Sequence, residues 1–274
     1  MFYVSICLIV RDDHRYIEEW ISYHRLIGID HFYITDNKSQ PPLKSILQPY
    51  IDQGLVTYRY DTRDRPQHLV YNECLKAHGK DNKWIAFIDS DEFLVLKKNR
   101  NIKEFLRNYE KYGAVAVNWY LFGSNGYKKR QKSVINSYKK RLCFSTHSKV
   151  IIRPNRCLSI CVHRVQRHTP GYYTVYEDFT RRRGGQRANV KLKRKISNIA
   201  EVIQRKSQKN PRTNLIQLNH YFLRSKQDFK DKLKRGGGIH AHNRNMNTFH
   251  NIDKLSTVYD DTIIKLQNQL LPSS

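Results

Sequence analysis

Residues Trp84 to Ile88 read Trp-Ile-Ala-Phe-Ile, apolar without a break, and Asp89-Ser90-Asp91-Glu92 follow at once. Phe93, Leu94, Val95 and Leu96 then return to apolar character. A short, uninterrupted apolar run is what a central parallel strand needs, because helices cover both of its faces. Ligands of open α/β sheets bind where such strands end. Asp89 and Asp91 lie two residues apart, so an extended backbone points both to the same side. Two carboxylates converging there repel each other unless positive charge lies between them. A hard divalent cation, sharing its oxygen ligands with a phosphate-bearing substrate, meets that need. The bland alternative is a helix cap or a surface turn; the position after a buried strand favours the cation.

The first half of the chain alternates strand and helix patterns. Val4 to Val10 reads as a strand, and the polar turn Arg11-Asp12-Asp13-His14 follows, with Asp13 as the expected N-cap of the next helix. Ile17, Trp20, Ile21 and His24 fall at helical spacing and Gly28 suits the helix end. His31 to Thr35 is a second strand, Pro41-Pro42 opens a short helix, and Leu55 to Tyr60 is a third strand. Pro66 to His78 reads as helix before the apolar strand; Ile102 to Tyr112 reads as helix and Ala114 to Trp119 as strand after it. Strands separated by helices imply right-handed crossovers and a mostly parallel sheet. Later signals are weaker. Ser148 to Ile152 is a further strand, and Ile252 to Leu271 a closing, partly amphipathic helix.

With 274 residues, the chain is long enough for one large α/β domain with decorations. Lysine and arginine number 50 against 24 acids, a net charge of +26, which favours polyanionic partners such as nucleic acid, an acidic membrane surface or phosphorylated substrates. The stretch 181–213 is dominated by Arg and Lys, with Glu201 its one acid, and reads as a basic insertion or docking surface. No run approaches the ~18 apolar residues of a membrane span, and Phe2 to Val10 lacks the basic start and cleavage site of a signal peptide. Five cysteines, odd in number and scattered, suit free thiols in a reducing cytoplasm. The expected location is therefore cytoplasmic, with peripheral contact to an anionic membrane.

Arg11-Asp12-Asp13 and Asp36-Asn37 follow the first two strands and so reach the same sheet edge as Asp89. Together they look like a nucleotide cradle, although each alone is ordinary turn chemistry. The chain has neither GxGxxG nor GxxxxGK[ST], which disfavours dinucleotide enzymes and P-loop NTPases. His220 interrupts the apolar segment Leu215 to Leu223 and precedes Arg224, Lys226 and a basic stretch from Lys230 to Arg235. It suits a diphosphate site, or a hydrogen-bonded core position. Glu177-Asp178 is an acidic pair in basic surroundings, where a carboxylate stays ionised and can act as a base, or simply balances arginines. Trp119, Tyr120 and Phe122, before the Gly123-Ser124-Asn125-Gly126 loop, offer flat faces for sugars or for the core.

These pieces stand in an order that resembles glycosyltransferase family 92 and its bacterial and viral relatives. The resemblance lies in the run from Cys7 to Ser39, then YNECL, KWIAFIDSDEFL, NWYLFGSNG, SKVIIRP, VH and LNHYFLRSKQDF, and covers about residues 3–238. It implies a GT-A type, Rossmann-like α/β domain over 1–238; the basic insertion at about 181–213 and a basic, helical C-terminal extension over 239–274 are read from the residues themselves. It implies transfer of a hexose such as galactose, with inversion, from a UDP-linked donor to a glycan, glycoprotein or lipid-linked acceptor, using Mn2+ or Mg2+. Carried over residue by residue, Asp89, Asp91 and His220 would hold the metal. Arg11, Asp36, Asn37, Gln67 and Asp89 would line the nucleotide, and Glu177 or Asp178 would be the base. Two other classes compete. A nucleic-acid-binding protein suits the charge but lacks a recognition module, so nucleic acid is disfavoured. A metal-dependent nucleotidyltransferase would also use paired carboxylates.

Overall fold

The computed structural model describes residues 1–182, 212–236 and 244–271. The expected basic insertion therefore lies almost wholly outside the described residues. The chain starts with β1 (Phe2–Val10), α1 (Ile17–Leu26), β2 (His31–Asp36), α2 (Lys44–Asp52), β3 (Val56–Tyr60), α3 (Gln67–His78) and β4 (Asn82–Phe87). β3, β2, β1 and β4 lie side by side in that order, all parallel. The expected alternation of strand and helix holds here, because each crossover helix buries its apolar stripe on the sheet. In α1, Ile17, Trp20, Ile21 and His24 are buried. Gly28 ends that turn at φ +100, where a Cβ would sit 2.6 Å from the Asn101 amide, so both backbone and space demand glycine.

The sheet continues through β5 (Glu92–Leu96), α4 (Ile102–Arg107), β6 (Ala114–Phe122), α5 (Val134–Ser137) and β7 (Lys140–Ile152). A two-stranded hairpin, β8 (Cys157–Cys161) and β9 (Arg164–His168), and a short β10 (Thr174–Val175) come next. β11 (Ile216–His220), α6 (Lys226–Arg235), α7 (Met246–Leu255), β12 (Val258–Tyr259) and α8 (Thr262–Leu270) finish the described chain. The full sheet runs β3-β2-β1-β4-β7-β6-β11-β5, with β7 and β5 antiparallel to their neighbours. The architecture is thus mixed α/β around a mostly parallel sheet.

Three particulars differ from the sequence reading. The apolar residues after Asp91 form a strand of their own, β5, paired with β11 across the sheet. The helix expected over Ile102–Tyr112 stops at Arg107. The expected closing helix is two helices split by β12, which pairs with β7. Asp13 is not the cap of α1 either; that N-cap is Tyr16, without a side-chain bond.

β5 is the last strand in its order, and α1 covers its outer side. Trp20 Nε1 donates to the Glu92 carbonyl at 2.8 Å and Tyr23 Oη to the Leu94 carbonyl at 2.7 Å. His24 Nε2 accepts the Leu94 N–H at 3.3 Å while its Nδ1 bonds the Trp20 carbonyl at 2.8 Å. A sheet edge is a row of unmet backbone groups, and here the polar tips of buried aromatic side chains meet them. The C-terminal segments join the same body: Ile263 and Leu266 belong to the main core, and Phe229 of α6 packs on Phe249 of α7 with ring centroids 5.4 Å apart. Among the described residues no helix is long and apolar enough to cross a membrane.

Candidate active site

A cleft of about 1650 Å³ opens where the parallel strands end. Its walls come from Arg11–Tyr16 after β1, Asn37 and Lys38 after β2, Gln67 at the start of α3, Asp89–Asp91 after β4, Trp119 and Leu121 of β6, and His220 with the residues leading into α6. The strand-end rule therefore locates the site. β11 fixes its far wall. His220 sits opposite Glu92 on one side and Leu121 on the other, and the Tyr221 N–H donates to the Asp91 carbonyl at 2.8 Å. That register brings the histidine beside the acidic loop although 128 residues of sequence intervene between Asp91 and His220.

Asp89 and Asp91 each face a lysine. Asp89 Oδ2 accepts from Lys149 Nζ at 2.9 Å, while its Oδ1 accepts from Gln67 Nε2 at 2.8 Å and Tyr71 Oη at 3.2 Å. Asp91 Oδ2 accepts from Lys232 Nζ at 2.6 Å, and His220 Nε2 lies 3.4 Å from Asp91 Oδ1. Burial opposes ionisation of both acids, yet the lysine charge wins in each case. Lys149 holds Asp89 below the ordinary carboxylate range; Lys232 and then His220 hold Asp91 well below it. Lys149 is buried, and although burial alone would discharge it, Asp89 and Glu92 raise its pKa. Lys232 goes the other way: burial lowers its pKa despite Asp91.

Glu92 is fully buried, and burial drives its pKa well above the usual value against the pull of Lys149. Its Oε2 accepts the Asp89 N–H at 2.9 Å. Among the described residues its Oε1 has no hydrogen-bond partner, and neither has His220 Nδ1, 3.8 Å away. The imidazole of His220, depressed by burial, is available as a neutral ligand. A third buried ion pair closes the loop after β1. Arg224 grips Asp13 in fork geometry at 2.5 and 3.0 Å and also donates to the Ser90 carbonyl at 3.1 Å, over the ring of Tyr16. Trp119 forms part of the floor, its ring 4.6 Å from that of His220 and 5.3 Å from that of His163. Burial pulls His163 down to about 3.

The expected site residues divide into two groups. Arg11, Asn37, Gln67, Asp89, Asp91 and His220 all line the cleft. Asn37 also ties two loops together, donating to the carbonyls of Asp61 and Arg63 at 2.9 Å each. Asp36 does not line it. Its carboxylate is buried and accepts from Ser39 N at 3.0 Å, Leu43 N at 2.8 Å and Tyr58 Oη at 3.0 Å, so it shapes the β2–α2 loop instead of meeting a nucleotide. Glu177 and Asp178 do not line it either. Glu177 accepts the N–H groups of Asn214, Leu215 and Ile216 at 2.5, 2.8 and 2.9 Å, which places it at the start of β11 while His220 is at the end. Four residues of strand separate the two, roughly 13 Å. Asp178 is tied to Thr180 and to Arg212 at 2.6 Å. Glu177 and Asp178 are therefore held away from the cleft, whose lining acids also include Glu18, Asp64, Asp228 and Asp231.

Lys149 and Glu92 were not singled out from the sequence. The signal was present for Lys149, a lone cation directly before the buried Val-Ile-Ile of β7. A lysine inside a strand of that kind needs a carboxylate partner.

Among the described residues no three His, Cys, Asp or Glu side chains are arranged to hold a metal by protein atoms alone. Asp91 and His220 converge as two donors, with Oδ1 and Nε2 3.4 Å apart. A hard cation that takes two protein ligands and completes its shell with phosphate oxygens fits this pair.

The profile of glycosyltransferase family 92 matches residues 1–232. This chain belongs to glycosyltransferase family 92. A family 92 protein of Oryza sativa subsp. japonica is 30% identical over 157 residues, 56% of this chain and 27% of the relative. A family 92 protein of Ricinus communis is 28% identical over 169 residues, 59% of this chain and 30% of the relative. The galactan beta-1,4-galactosyltransferase GALS3 of Arabidopsis thaliana is 30% identical over 112 residues, 37% of this chain and 22% of the relative. The match to these curated relatives thus spans less than a third of their length. Among solved structures, S. aureus TarS in complex with UDP superimposes with a TM-score of 0.40 at 14% identity, over 56% of this chain and 47% of the other.

Proposed function

We propose that this family 92 protein is a metal-dependent glycosyltransferase with a GT-A type fold, moving a hexose from a nucleotide-sugar donor to a glycan, glycoprotein or lipid-linked acceptor with inversion. Galactose is the sugar favoured by the galactosyltransferases among its relatives, and a UDP-linked donor is the corresponding nucleotide. The observation that carries the reading is the convergence of Asp89, Asp91 and His220 at the strand-end cleft of a family 92 chain. A divalent cation, Mn2+ or Mg2+, held by Asp91 and His220 together with the donor diphosphate, would neutralise charge on the leaving group. Arg11, Asn37 and Gln67 line the side of the cleft that would take the nucleoside, and Trp119 supplies a flat apolar face for a sugar ring. The acceptor hydroxyl attacks the anomeric carbon opposite the departing diphosphate, through an oxocarbenium-like transition state, and gives its proton to a carboxylate of the cleft such as Glu18, Asp64, Asp228 or Asp231. The basic charge of the chain suits peripheral contact with an anionic membrane, where lipid-linked acceptors reside.

Incubation with UDP-sugars and manganese tests this reading. Slow release of UDP, faster with an acceptor, is expected; release of pyrophosphate would indicate nucleotidyl transfer instead. Asp91→Ala is expected to lower turnover by ~100- to 1000-fold, the scale at which removal of a transition-state charge stabiliser acts, with an unchanged far-UV circular dichroism spectrum. Full turnover in that variant would refute the assignment.

A further inference from the structure

Two lysines stand where a cation was expected to separate two carboxylates. Lys149 meets Asp89 and Lys232 meets Asp91, at 2.9 and 2.6 Å. The third cleft acid of this group, Asp13, is matched by Arg224 at 2.5 Å. Each of the three aspartates is therefore matched by a cation of the chain itself. A dication arriving alone would find these charges already countered, with an ammonium on Asp91 Oδ2 beside the Oδ1 that faces His220. A dication arriving with a diphosphate brings at least its own countercharge.

The two lysines differ in how they are held. Lys149 projects from the middle of the sheet, buried, between Asp89 and Glu92 at 2.9 and 3.7 Å. It lies beneath the cleft lining, behind Asp89. Lys232 comes from α6, at the rim, on a four-carbon stem that reaches into the cleft. Apart from Asp91, its ammonium donates to the Phe222 carbonyl at 3.1 Å and lies 4.4 Å from the Phe222 ring centroid. The ammonium is thus shared between Asp91 and the Phe222 carbonyl, and the latter is a partner it keeps if it leaves the carboxylate for an anion bound over Asp91.

We propose that Lys232 is an internal counter-ion that guards Asp91 against a lone metal ion and passes to the diphosphate when nucleotide and divalent cation bind together. The inference rests on the reading of the cleft as a nucleotide-diphosphate site. It makes Lys232 a binding residue with two successive partners, first the carboxylate and then the phosphate oxygens. It also makes metal and nucleotide mutually dependent, because each removes the obstacle to the other. By linkage, the factor by which UDP tightens manganese is the factor by which manganese tightens UDP.

Free Mn(II), read by electron paramagnetic resonance during titration of the full chain, tests it. For the wild type, manganese chloride alone is expected to bind weakly, and saturating UDP to tighten it at least tenfold. Lys232→Met removes the guard, so manganese alone should bind at least tenfold tighter than to the wild type, and the coupling with UDP should shrink by a similar factor. Lys232→Gln, which keeps a polar tip for the Phe222 carbonyl, should behave the same way and serves if the methionine variant does not fold. If the wild type binds manganese with UDP but neither variant gains affinity for manganese alone, the guard is overturned and the nucleotide site stands. If the wild type binds manganese as tightly without UDP as with it, the guard is likewise overturned. If the wild type binds no manganese even with UDP, the metal-dependent reading of the cleft itself fails.

Discussion

His24 shows how one buried side chain ties helix to sheet and stability to pH. Its Nδ1–H donates to the Trp20 carbonyl and its Nε2 lone pair accepts the Leu94 N–H, so a single neutral tautomer satisfies both bonds. Burial lowers its pKa to about 3. In the unfolded chain an imidazole titrates near 6.5. Between those values the unfolded state binds a proton that the native state refuses, so stability falls as pH drops from about 6.5 towards about 3. The loss from this group at pH 5 is about 2 kcal/mol. His24→Gln keeps a donor and an acceptor but no titration. Its urea midpoint should be lower than that of the wild type at pH 7 and the gap should narrow by pH 5. An unchanged gap would mean that His24 is not held neutral.

At the scale of elements, α6 is the least obvious part of the site and the best anchored. Ser225 and Asp228 form a capping box at its start, and Arg224, the residue before the cap, is clamped on Asp13. Breaking a buried pair leaves one charge without compensation, at about 3–5 kcal/mol. Arg224→Met should lower stability in urea by about that amount, and Arg224→Met with Asp13→Leu should recover most of it. A double variant as unstable as the single would show that the pair matters through Ser90 or Tyr16 instead. This anchoring also explains which parts of the chain were legible in the sequence. The first four parallel strands with their helices were readable, because each signal is local: an apolar run, a 3.6-residue stripe, a Gly or Pro stop. That Asp89 and Asp91 reach the cleft is legible from the strand-end rule, and that His220 joins them from the family order. Asp13 was read as a helix cap because its partner, Arg224, is 211 residues away. Asp36 and Glu177 were read as site residues because an acid after a strand, or among arginines, looks the same whether it meets a ligand or backbone amides. The break between α7 and α8 contains no Gly or Pro; Ser256, bonded to the Ile252 carbonyl at 2.8 Å, and the pairing of β12 with β7 make it.

Across the whole molecule, charge is unevenly distributed. The chain carries +26, but the acids and bases that line the cleft nearly balance and are largely paired with one another. The excess therefore lies on the rest of the surface and in the basic stretch 181–213. Contact with anionic bilayers should be electrostatic: co-sedimentation with phosphatidylserine-containing vesicles at 50 mM salt, little with neutral ones, and release near ~0.5 M, where the screening length has fallen to a few ångströms. Retention by anionic vesicles at high salt would point to apolar insertion instead. The position of β11 has a different consequence, for the order in which the protein can be made. β5 leaves the ribosome 120 residues before the strand that pairs with its inner edge. At a synthesis rate of about 5–20 residues per second, that edge waits roughly 6 to 24 s. During that interval Glu-Phe-Leu-Val-Leu is an unpaired apolar ribbon on a nascent chain, so the strand that completes the cleft is also the one whose delay most invites chaperone capture or self-association.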